Sequence, residues 1–364
     1  MIAVATARRG AAAREPPEAR GLARDSVRLL VSDGGAPQHA RFRDLPDFLR
    51  SGDLLVVNTS ATLAAAVDGL RADGSPLVVH FSTRLDDGGW AVEPRPPGPA
   101  TGPLEDVRPG ETIALPGGAL LYVVEPWPAP TPARPRLWRA QVIRSRGVEV
   151  SRSGGEVSRS RGVEALLQQF GRPITYAYVR GRWPLEAYQT VFGVDPGSAE
   201  MPSAGRPFTS SMVQRLRRKG IRFAGITLHT GVSSLEAGEA PLPEPFVVPR
   251  VTARRVAATR RAGGRVVAVG TTVARALESA VGGDGSPMAA SGWTDLVLSP
   301  ARRARLVDGI ITGWHAPGAS HLELLQAIAG PEAVRRAYVE ALGRGYLWHE
   351  FGDSALLFGP RTAW

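Results

Sequence analysis

The sequence predicts a layered α/β domain that carries a small inserted all-β domain of barrel-like form. Strand patterns alternate with helix patterns at the start of the chain and again in its second half, which is typical of a layered α/β domain. Between these parts, short apolar runs are separated by glycine and proline with little helical periodicity, as in a small barrel or sandwich. A length of 364 residues also favours two domains over a single core.

The first part of the α/β domain covers residues 25–62. Its predicted strands are 27–33, 38–44 and 54–58, with a turn at Gly34 and Gly35 and a short helix over 45–53. Residues 1–24 spread arginines between alanines and prolines and contain no apolar block behind them. We therefore expect a disordered N-terminus there, and no signal peptide.

The inserted all-β domain covers residues 63–143. Its predicted strands are LVVHFS at 77–82, GWAVEP at 89–94, ETIALP at 111–116, ALLYVVE at 119–125 and LWRAQVI at 137–143. In the segment that follows, RSRGVE at 144–149 recurs at 159–164. Two short copies do not make a repeat architecture, so we interpret 144–163 as an arginine-rich loop of low complexity.

The second part of the α/β domain covers residues 164–364. Apolar spacing and terminal signals predict helices over 210–219, 252–262, 272–280, 320–329 and 331–344. Strands are predicted over 221–229, 265–271, 295–300 and 306–312.

The composition excludes several classes of protein. No stretch approaches the roughly 18 uninterrupted apolar residues of a membrane span. The absence of cysteine excludes disulfide scaffolds, thiolate zinc sites, iron–sulfur clusters and a cysteine nucleophile. We expect a cytoplasmic protein without a membrane partner.

The charge of the chain has two interpretations. A net charge of +10 suggests an anionic partner, above all a nucleic acid. However, all basic residues except Lys219 are arginines, which with many glycines and prolines also fits a biased codon composition. Residues 206–265 hold 12 basic residues and three glutamates, which is either a nucleic-acid contact or a solvated face.

A strand-to-helix junction is the first candidate binding site. Gly270, Thr271 and Thr272 follow the apolar run RVVAV and precede a helix that contains Arg275 and Glu278. Backbone N–H groups at such a helix start can bind a carboxylate or a phosphate. The alternative is that Thr272 only caps the helix.

Two histidines at strand ends are candidates for proton transfer. His229 ends the strand that contains TLH, and His315 follows the strand LVDGIIT. Ligands gather at strand ends in α/β folds, although a hydrogen-bonded loop histidine is the alternative for each. His321 lies six residues beyond His315, and no carboxylate stands at ligand spacing, so we expect no metal site.

Three polar segments complete the candidates for ligand contact. They contribute Tyr188, Gln189 and Thr190, then Ser203 and Gly205, and finally Asp295. Hydroxyl, amide and small residues are found where a backbone approaches a ligand. An ordinary polar loop has the same composition, and an aspartate near glycine commonly caps a turn.

Taken in order, these segments resemble the S-adenosylmethionine:tRNA ribosyltransferase-isomerase family of the queuosine pathway. The stretches that carry the resemblance are RDSVRLLV at 24–31, FRDLPDFLRSGDLLVVN at 42–58, YQTVF at 188–192, MPSAGRPFT at 201–209, GITLHTG at 225–231, AVGTT at 268–272, SGWTDL at 291–296, TGWHAPGAS at 312–320 and FGDSALLF at 351–358. They extend over nearly the whole chain.

The resemblance implies a cytoplasmic enzyme in which a β-barrel is inserted into an α/β domain. It implies that the ribosyl part of S-adenosylmethionine moves to the aminomethyl group of a 7-deazaguanine base in tRNA and is isomerised, as adenine and methionine leave. The sulfonium acidifies the C5′ proton, so a side-chain base suffices and no metal is needed. The resemblance makes His229 and His315 the candidate bases. It makes Thr271, Thr272 and Arg275 candidate contacts for the methionine carboxylate or the ribose.

Several polar positions differ from the family pattern. Asn58 is followed by Thr59, Ser60 and Ala61, where the family has N-D-T-R, and MPSAGRPF stands in place of A-P-T-A-G-L-H-F. Two other functions therefore stay open. The chain could use S-adenosylmethionine on a small-molecule acceptor without tRNA, or it could be a non-catalytic RNA-binding protein. Its oligomeric state is not predicted.

Overall fold

The computed structural model describes residues 11–98, 102–129, 135–144, 157–232, 241–315 and 320–360. The strands are β1 (Arg28–Ser32), β2 (Gln38–Arg41), β3 (Leu54–Asn58), β4 (Ser60–Thr62), β5 (Ala66–Leu70), β6 (Pro76–Arg84), β7 (Trp90–Arg95), β8 (Thr112–Leu115), β9 (Ala119–Trp127), β10 (Leu137–Arg144), β11 (Asp195–Ser198), β12 (Arg222–Leu228), β13 (Glu244–Val248), β14 (Val266–Val269), β15 (Ala290–Thr294), β16 (Gly309–Gly313) and β17 (Ser354–Phe358). The α-helices are α1 (Val157–Phe170), α2 (Ser210–Arg218), α3 (Arg250–Arg261), α4 (Thr271–Ser279), α5 (Ser320–Ala329) and α6 (Pro331–Gly343).

A nine-stranded mixed sheet forms the centre of the α/β domain, with the order β15-β13-β12-β3-β14-β16-β17-β1-β2. Strands β12, β3, β14 and β16 run parallel to one another, so their carboxyl ends lie at the same edge. All five residues of β3 are buried, as expected for a strand that is covered on both faces.

The sheet lies between two apolar layers. Leu54 and Val56 of β3 pack into a core with α3, α4, α5 and α6. The alternate residues Leu55 and Val57 pack into a second core with α2 and the 3-10 helix Phe42–Phe48. Successive side chains of a strand point to opposite faces, so one short apolar strand supplies both cores.

The inserted domain is a closed antiparallel barrel of six strands in the order β10-β7-β6-β5-β8-β9. Helix α1 packs on it through Val163, Leu166 and Leu167. A short parallel sheet of β4 and β11 joins the chain before the insertion to the chain after it. At the neck of the barrel, the backbones of Ala66 and Arg172 exchange two hydrogen bonds of 2.9 Å.

The predicted fold class is confirmed, while some elements differ from their sequence patterns. The predicted strand over 295–300 is wrong: the strand is β15, which ends at Thr294. The sequence patterns also missed β13 and β17. The predicted helix over 45–53 is a 3-10 helix that begins earlier, at Phe42, and contains Pro46.

Two segments for which the sequence predicts no helix or strand contain helical residues. Within the expected disordered N-terminus, Pro17–Arg20 forms a 3-10 helix, Ala13 is buried and its N–H donates to the Trp348 carbonyl at 3.0 Å. The expectation of disorder is therefore wrong for residues 11–24, and residues 1–10 lie outside the described part. Within the expected loop over 144–163, α1 already begins at Val157, and 145–156 lie outside the described part.

No helix in the described part of the chain is long and apolar enough to cross a membrane.

Candidate functional site

Two adjoining cavities lie at the carboxyl edge of the central sheet. The first, of about 190 Å³, is lined by residues at or just after the ends of β12, β14 and β16, among them Thr230, Gly270 and Thr312. The second, of about 130 Å³, lies against the loop after α1 and the turn before β17. Five residues line both cavities, so the two spaces meet at Glu200, Met201, Ser203, Gly313 and His315. Ligands of α/β proteins commonly bind at this edge.

The first cavity includes the start of α4. Gly270 is the N-cap residue and has a φ of 99°, a conformation that side-chain-bearing residues rarely adopt. This turn places Thr271 and Thr272 on the cavity wall, where the first N–H groups of a helix have no partner within the helix. Asn58 at the end of β3 donates to the Thr272 hydroxyl at 3.4 Å. The alternative in which Thr272 is the N-cap does not hold.

Arg275 lines the first cavity but is heavily engaged with the protein. Its guanidinium donates to the carbonyls of Leu296 and Thr294, to that of Leu242, and to the carboxylate of Glu244. Four of its five N–H groups therefore already have acceptors. Glu244 also accepts from the Gly231 N–H at 3.2 Å. The pair thus connects α4 to β13 and to the loop after β12.

Two histidines stack within the first cavity. His315 follows β16 and His321 lies in the first turn of α5, with ring centroids 4.3 Å apart and planes 8° apart. Burial lowers the pKa of His321 to about 4 and lowers the pKa of His315 well below its usual value. Both rings are neutral near pH 7, and a neutral imidazole can accept a proton. Thr312 Oγ1 lies 3.3 Å from His315 Nε2.

The other predicted base, His229, lines neither cavity. Its Nδ1 lies 2.7 Å from Ser60 Oγ, and that hydroxyl lies 2.6 Å from Ser198 Oγ. Gly197 packs so closely on the ring that a Cβ there would overlap His229 Nδ1. Burial lowers the pKa of His229. The structure therefore does not bring the two predicted bases into one cavity.

The second cavity is aromatic and acidic. Tyr176, Tyr178 and His349 form a stack of rings along it, and Glu200 and Glu350 contribute carboxylates. Of the residues predicted from the sequence, Tyr188 lines this cavity, and Ser203 and His315 line both. Burial raises the pKa of Tyr188 to about 12.

The remaining predicted residues lie outside both cavities. Gln189 exchanges hydrogen bonds with the backbone of Thr62, and Thr190 accepts from the Phe192 N–H. Gly205 packs on Thr190.

Glu278 and Asp295 border a separate depression away from the two cavities. The Glu278 carboxylate accepts the N–H groups of Arg305, Leu306 and Val307. It therefore holds the segment before β16 in place.

Four chemically important residues were not predicted from the sequence: Glu200, Glu244, His321 and Glu350. The sequence raised His321 only as a metal ligand, although a spacing of six residues across a strand-to-helix loop also permits two rings to stack. The carboxylates stand singly in the sequence, and no pattern marks them. In the described part of the chain, no group of three or more histidine, aspartate or glutamate side chains is placed to hold a metal ion.

Most of the basic residues within 206–265 lie away from the cavities. Arg217 and Arg218 end α2 and Arg260 and Arg261 end α3, and each helix leads into the amino end of the next strand. These arginines therefore lie at the edge of the sheet opposite to both cavities. By contrast, Arg180 is exposed two residues after Tyr178.

Comparisons with known proteins place this chain in a family. Residues 8–357 match the family described as Queuosine biosynthesis protein. The S-adenosylmethionine:tRNA ribosyltransferase-isomerase of Heliobacterium modesticaldum is 34% identical over 351 residues, which cover 92% of this chain and 93% of that protein. The protein of the same name from Moorella thermoacetica is 34% identical over 364 residues, with 96% of each chain covered. The crystal structure of S-adenosylmethionine tRNA ribosyltransferase from Thermotoga maritima matches with 26% identity, a TM-score of 0.49, and coverage of 95% of this chain and 96% of that one.

Proposed function

Because the chain belongs to the queuosine biosynthesis protein family, we propose that it is an S-adenosylmethionine:tRNA ribosyltransferase-isomerase. In this reaction the ribosyl part of S-adenosylmethionine moves to the aminomethyl group of a 7-aminomethyl-7-deazaguanine base in tRNA and is isomerised. Adenine and methionine leave. A cytoplasmic location fits a substrate that is tRNA.

The meeting of two cavities at Ser203, Gly313 and His315 is the observation that carries this proposal. A transfer between two substrates needs two binding spaces that share a boundary, so that the reacting atoms are held close together. The first cavity is assigned to S-adenosylmethionine and the second to the acceptor.

In the first cavity, the N–H groups at the start of α4 bind the methionine carboxylate. The positive end of a helix favours an anion, and Thr271 and Thr272 add hydroxyl groups to the wall. Arg275 adds positive charge beside them, although most of its hydrogen bonds go to the protein.

His315 is the preferred base for the C5′ proton of S-adenosylmethionine. It lies where the cavities meet and is neutral near pH 7 because burial lowers its pKa. His321 stacks on it and holds the orientation of the ring. His229 stays a candidate base. Its ring contacts Ser60, and the next residue, Thr230, lies on the wall of the first cavity.

A small group of exposed arginines beside the second cavity is suited to tRNA phosphates. Arg180 and Arg182 follow Tyr178 in the loop that lines this cavity, and the Arg180 N–H donates to the Arg14 carbonyl at 2.7 Å. All three arginines are exposed. Arginine binds phosphate through two parallel hydrogen bonds, which favours it as a contact for an RNA backbone.

A second candidate function is transfer to a free small-molecule acceptor. The observation that favours it is the position of the α2 and α3 arginines at the edge opposite to the cavities, since an RNA bound at the acceptor cavity would not meet them there.

Release of adenine tests both functions. The purified protein is incubated with S-adenosylmethionine alone, with S-adenosylmethionine and the free base 7-aminomethyl-7-deazaguanine, with tRNA bearing this base, and with the same tRNA bearing guanine. We expect adenine, and a matching mass increase of the RNA, only with the deazaguanine tRNA. Adenine without RNA would favour the small-molecule function. No adenine under any condition would contradict both enzymatic functions and leave RNA binding alone.

A further inference from the structure

Three stacked aromatic rings line the second cavity. Tyr176 and Tyr178 stack with centroids 5.9 Å apart and planes 15° apart, and Tyr178 stacks on His349 at 4.2 Å and 18°. A planar heterocycle gains stacking energy beside such rings, and every nucleobase offers a flat face.

Two carboxylates stand at the stacked rings. The Tyr178 hydroxyl donates to Glu350 Oε1 at 2.9 Å, and the Tyr176 hydroxyl donates to Glu200. Each tyrosine therefore supplies both a flat face and a hydrogen bond that orients one carboxylate. Within the described part of the chain, no arginine, lysine or histidine forms an ion pair with Glu350.

Glu350 is an acidic group in surroundings that do not favour its charge. Burial raises its pKa to about 7, against the opposing effects of the Tyr178 hydroxyl and of Arg206. The groups facing it are Tyr178, Tyr188 and Arg206, and Arg206 is itself paired with Glu18 at 2.9 Å. A cation brought by a ligand offsets the cost of keeping this carboxylate charged.

The backbone at this site is held in a rare conformation. His349 has a φ of 69°, and in the described part of the chain it is the one residue other than glycine with a positive φ. The turn is closed by the Gly352 N–H, which donates to the His349 carbonyl at 3.0 Å. A Cβ on Gly352 would overlap the Leu347 carbonyl oxygen, so the turn is tightly enclosed. Residues in rare conformations cluster at binding sites.

We propose that Glu350 pairs with a protonated primary amine on the acceptor bound in the second cavity. The heterocycle of the acceptor packs against the outside of the ring stack, since Tyr176 and His349 cover the two faces of Tyr178. The assignment rests on the proposed function, in which the acceptor is a base with an aminomethyl group. It adds that Glu350 determines the specificity for the amine.

Glu350 also prepares the amine for transfer. The bound ammonium gives one proton to the Glu350 carboxylate, so an N–H bond breaks and an O–H bond forms. The electron pair stays on the nitrogen, which becomes a neutral nucleophile. Ser203, Gly313 and His315 border both cavities, so the freed amine faces the space assigned to the ribosyl donor.

Binding and turnover of Glu350→Gln test the proposal, with Glu332→Gln as the matched control. Glu332 is exposed on α6 and pairs only with a neighbouring surface arginine. The acceptors are the tRNA bearing 7-aminomethyl-7-deazaguanine, the free base of the same structure, and the free 7-methyl analogue, which has no amine. The two aminomethyl acceptors distinguish a base carried by tRNA from a free one.

We expect Glu350→Gln to weaken binding of the aminomethyl acceptor roughly ten- to a hundredfold, as for loss of a charged hydrogen bond. Its affinity for S-adenosylmethionine and for the 7-methyl analogue should stay unchanged. The control variant Glu332→Gln should bind and turn over all acceptors like the parent. In the parent we expect kcat/KM to rise with pH near 7 as Glu350 ionises, and Glu350→Gln should lose this rise. Tyr178→Phe gives a smaller loss, since the ring remains.

Calorimetric binding of the free base separates this proposal from the proposed function. Binding that Glu350→Gln weakens supports the amine site even if no adenine is released. Adenine release with unchanged binding in Glu350→Gln overturns the role of Glu350 and leaves the function intact. Absence of binding of any aminomethyl acceptor to the parent overturns the assignment of the cavity.

Discussion

The imidazole rings of His315 and His321 lie parallel, with centroids 4.3 Å apart, one at the end of β16 and the other on α5. Two imidazolium rings in this arrangement would repel each other, and each charge lowers the pKa of a neighbouring base. Burial acts in the same direction. The pair therefore holds two neutral nitrogen bases on the wall of the first cavity.

The histidine pair makes stability depend on pH. The usual pKa of histidine is 6.5, and His321 in the folded protein has a pKa of about 4. Between these values the unfolded chain binds more protons than the folded one, so the free energy of unfolding falls as the pH is lowered from about 6.5 to 4. Above pH 6.5 the effect is absent. Urea unfolding at a series of pH values measures the slope of the free energy of unfolding against pH.

Removal of one ring should reduce this slope. We expect His321→Gln to flatten the decline in the free energy of unfolding below pH 6.5. Identical slopes in the parent and in His321→Gln would contradict the assignment.

His315→Ala should affect turnover far more than binding. Loss of a general base commonly lowers kcat by about 10²- to 10⁴-fold. Affinity for S-adenosylmethionine, measured by calorimetry, should change little, because the N-terminus of α4 is intact. His229→Ala is the parallel variant, since its ring contacts Ser60 outside the cavities. Unchanged rates in both variants would remove the two histidines as bases.

Arg275→Ala should lower both stability and S-adenosylmethionine affinity. The change leaves the Glu244 carboxylate in a buried position without its counter-charge, which costs about 3 kcal/mol of unfolding free energy. Denaturant unfolding measures the loss. The double variant Arg275→Met with Glu244→Gln should recover stability but not affinity. Recovery of both would mean that Arg275 only supports the fold, and full affinity in Arg275→Ala would mean the same.

Gly270→Ala should weaken S-adenosylmethionine binding. At a φ of 99° a side chain is strained by about 1–3 kcal/mol, so the start of α4 must shift. Gly283→Ala is the control, because a Cβ there meets open space and its φ is not positive. The dissociation constants of the two variants check the effect, and equal values would argue against binding at the start of α4.

The arginines beside the second cavity should control tRNA affinity. Arg180→Ala with Arg182→Ala should weaken binding and reduce the slope of log K against log salt by about 1 for each phosphate that the variant no longer binds. Arg254→Ala with Arg261→Ala removes the same charge from α3 and should change both quantities less. Binding titrations at several salt concentrations compare the pairs. An equal effect of the two pairs would contradict an RNA contact at Arg180.

The sequence predicts the central elements of the fold because burial leaves a local pattern. The apolar run of β3 and the glycine before α4 are each visible within a few residues, and both are predicted correctly. The run over 295–300 also has three apolar residues in succession, yet Leu296 and Leu298 face the core from an irregular segment while the preceding SGWT forms the strand. Apolar spacing alone does not distinguish a strand from a buried irregular segment.

The second cavity could not be predicted in this way. Tyr178 and Glu350 are 172 residues apart and meet only because β17 pairs between β16 and β1, which brings the turn before it to the loop after α1. No local spacing encodes this contact. Single carboxylates and tyrosines acquire their roles through the topology of the sheet.

The position of β3 in the sheet also sets the order of events during synthesis. β3 lies between β12 and β14, both of which leave the ribosome more than 160 residues later, and β17 must arrive before β1 and β16 are joined. The barrel, by contrast, pairs only strands that are close in the chain and closes its neck at Ala66 and Arg172. Loop closure over long distances is slow, so we expect the barrel to fold first on the nascent chain. The apolar faces and unpaired backbone edges of β3 would stay exposed until β12 and β14 are synthesised, so we expect this strand to need the most protection from aggregation.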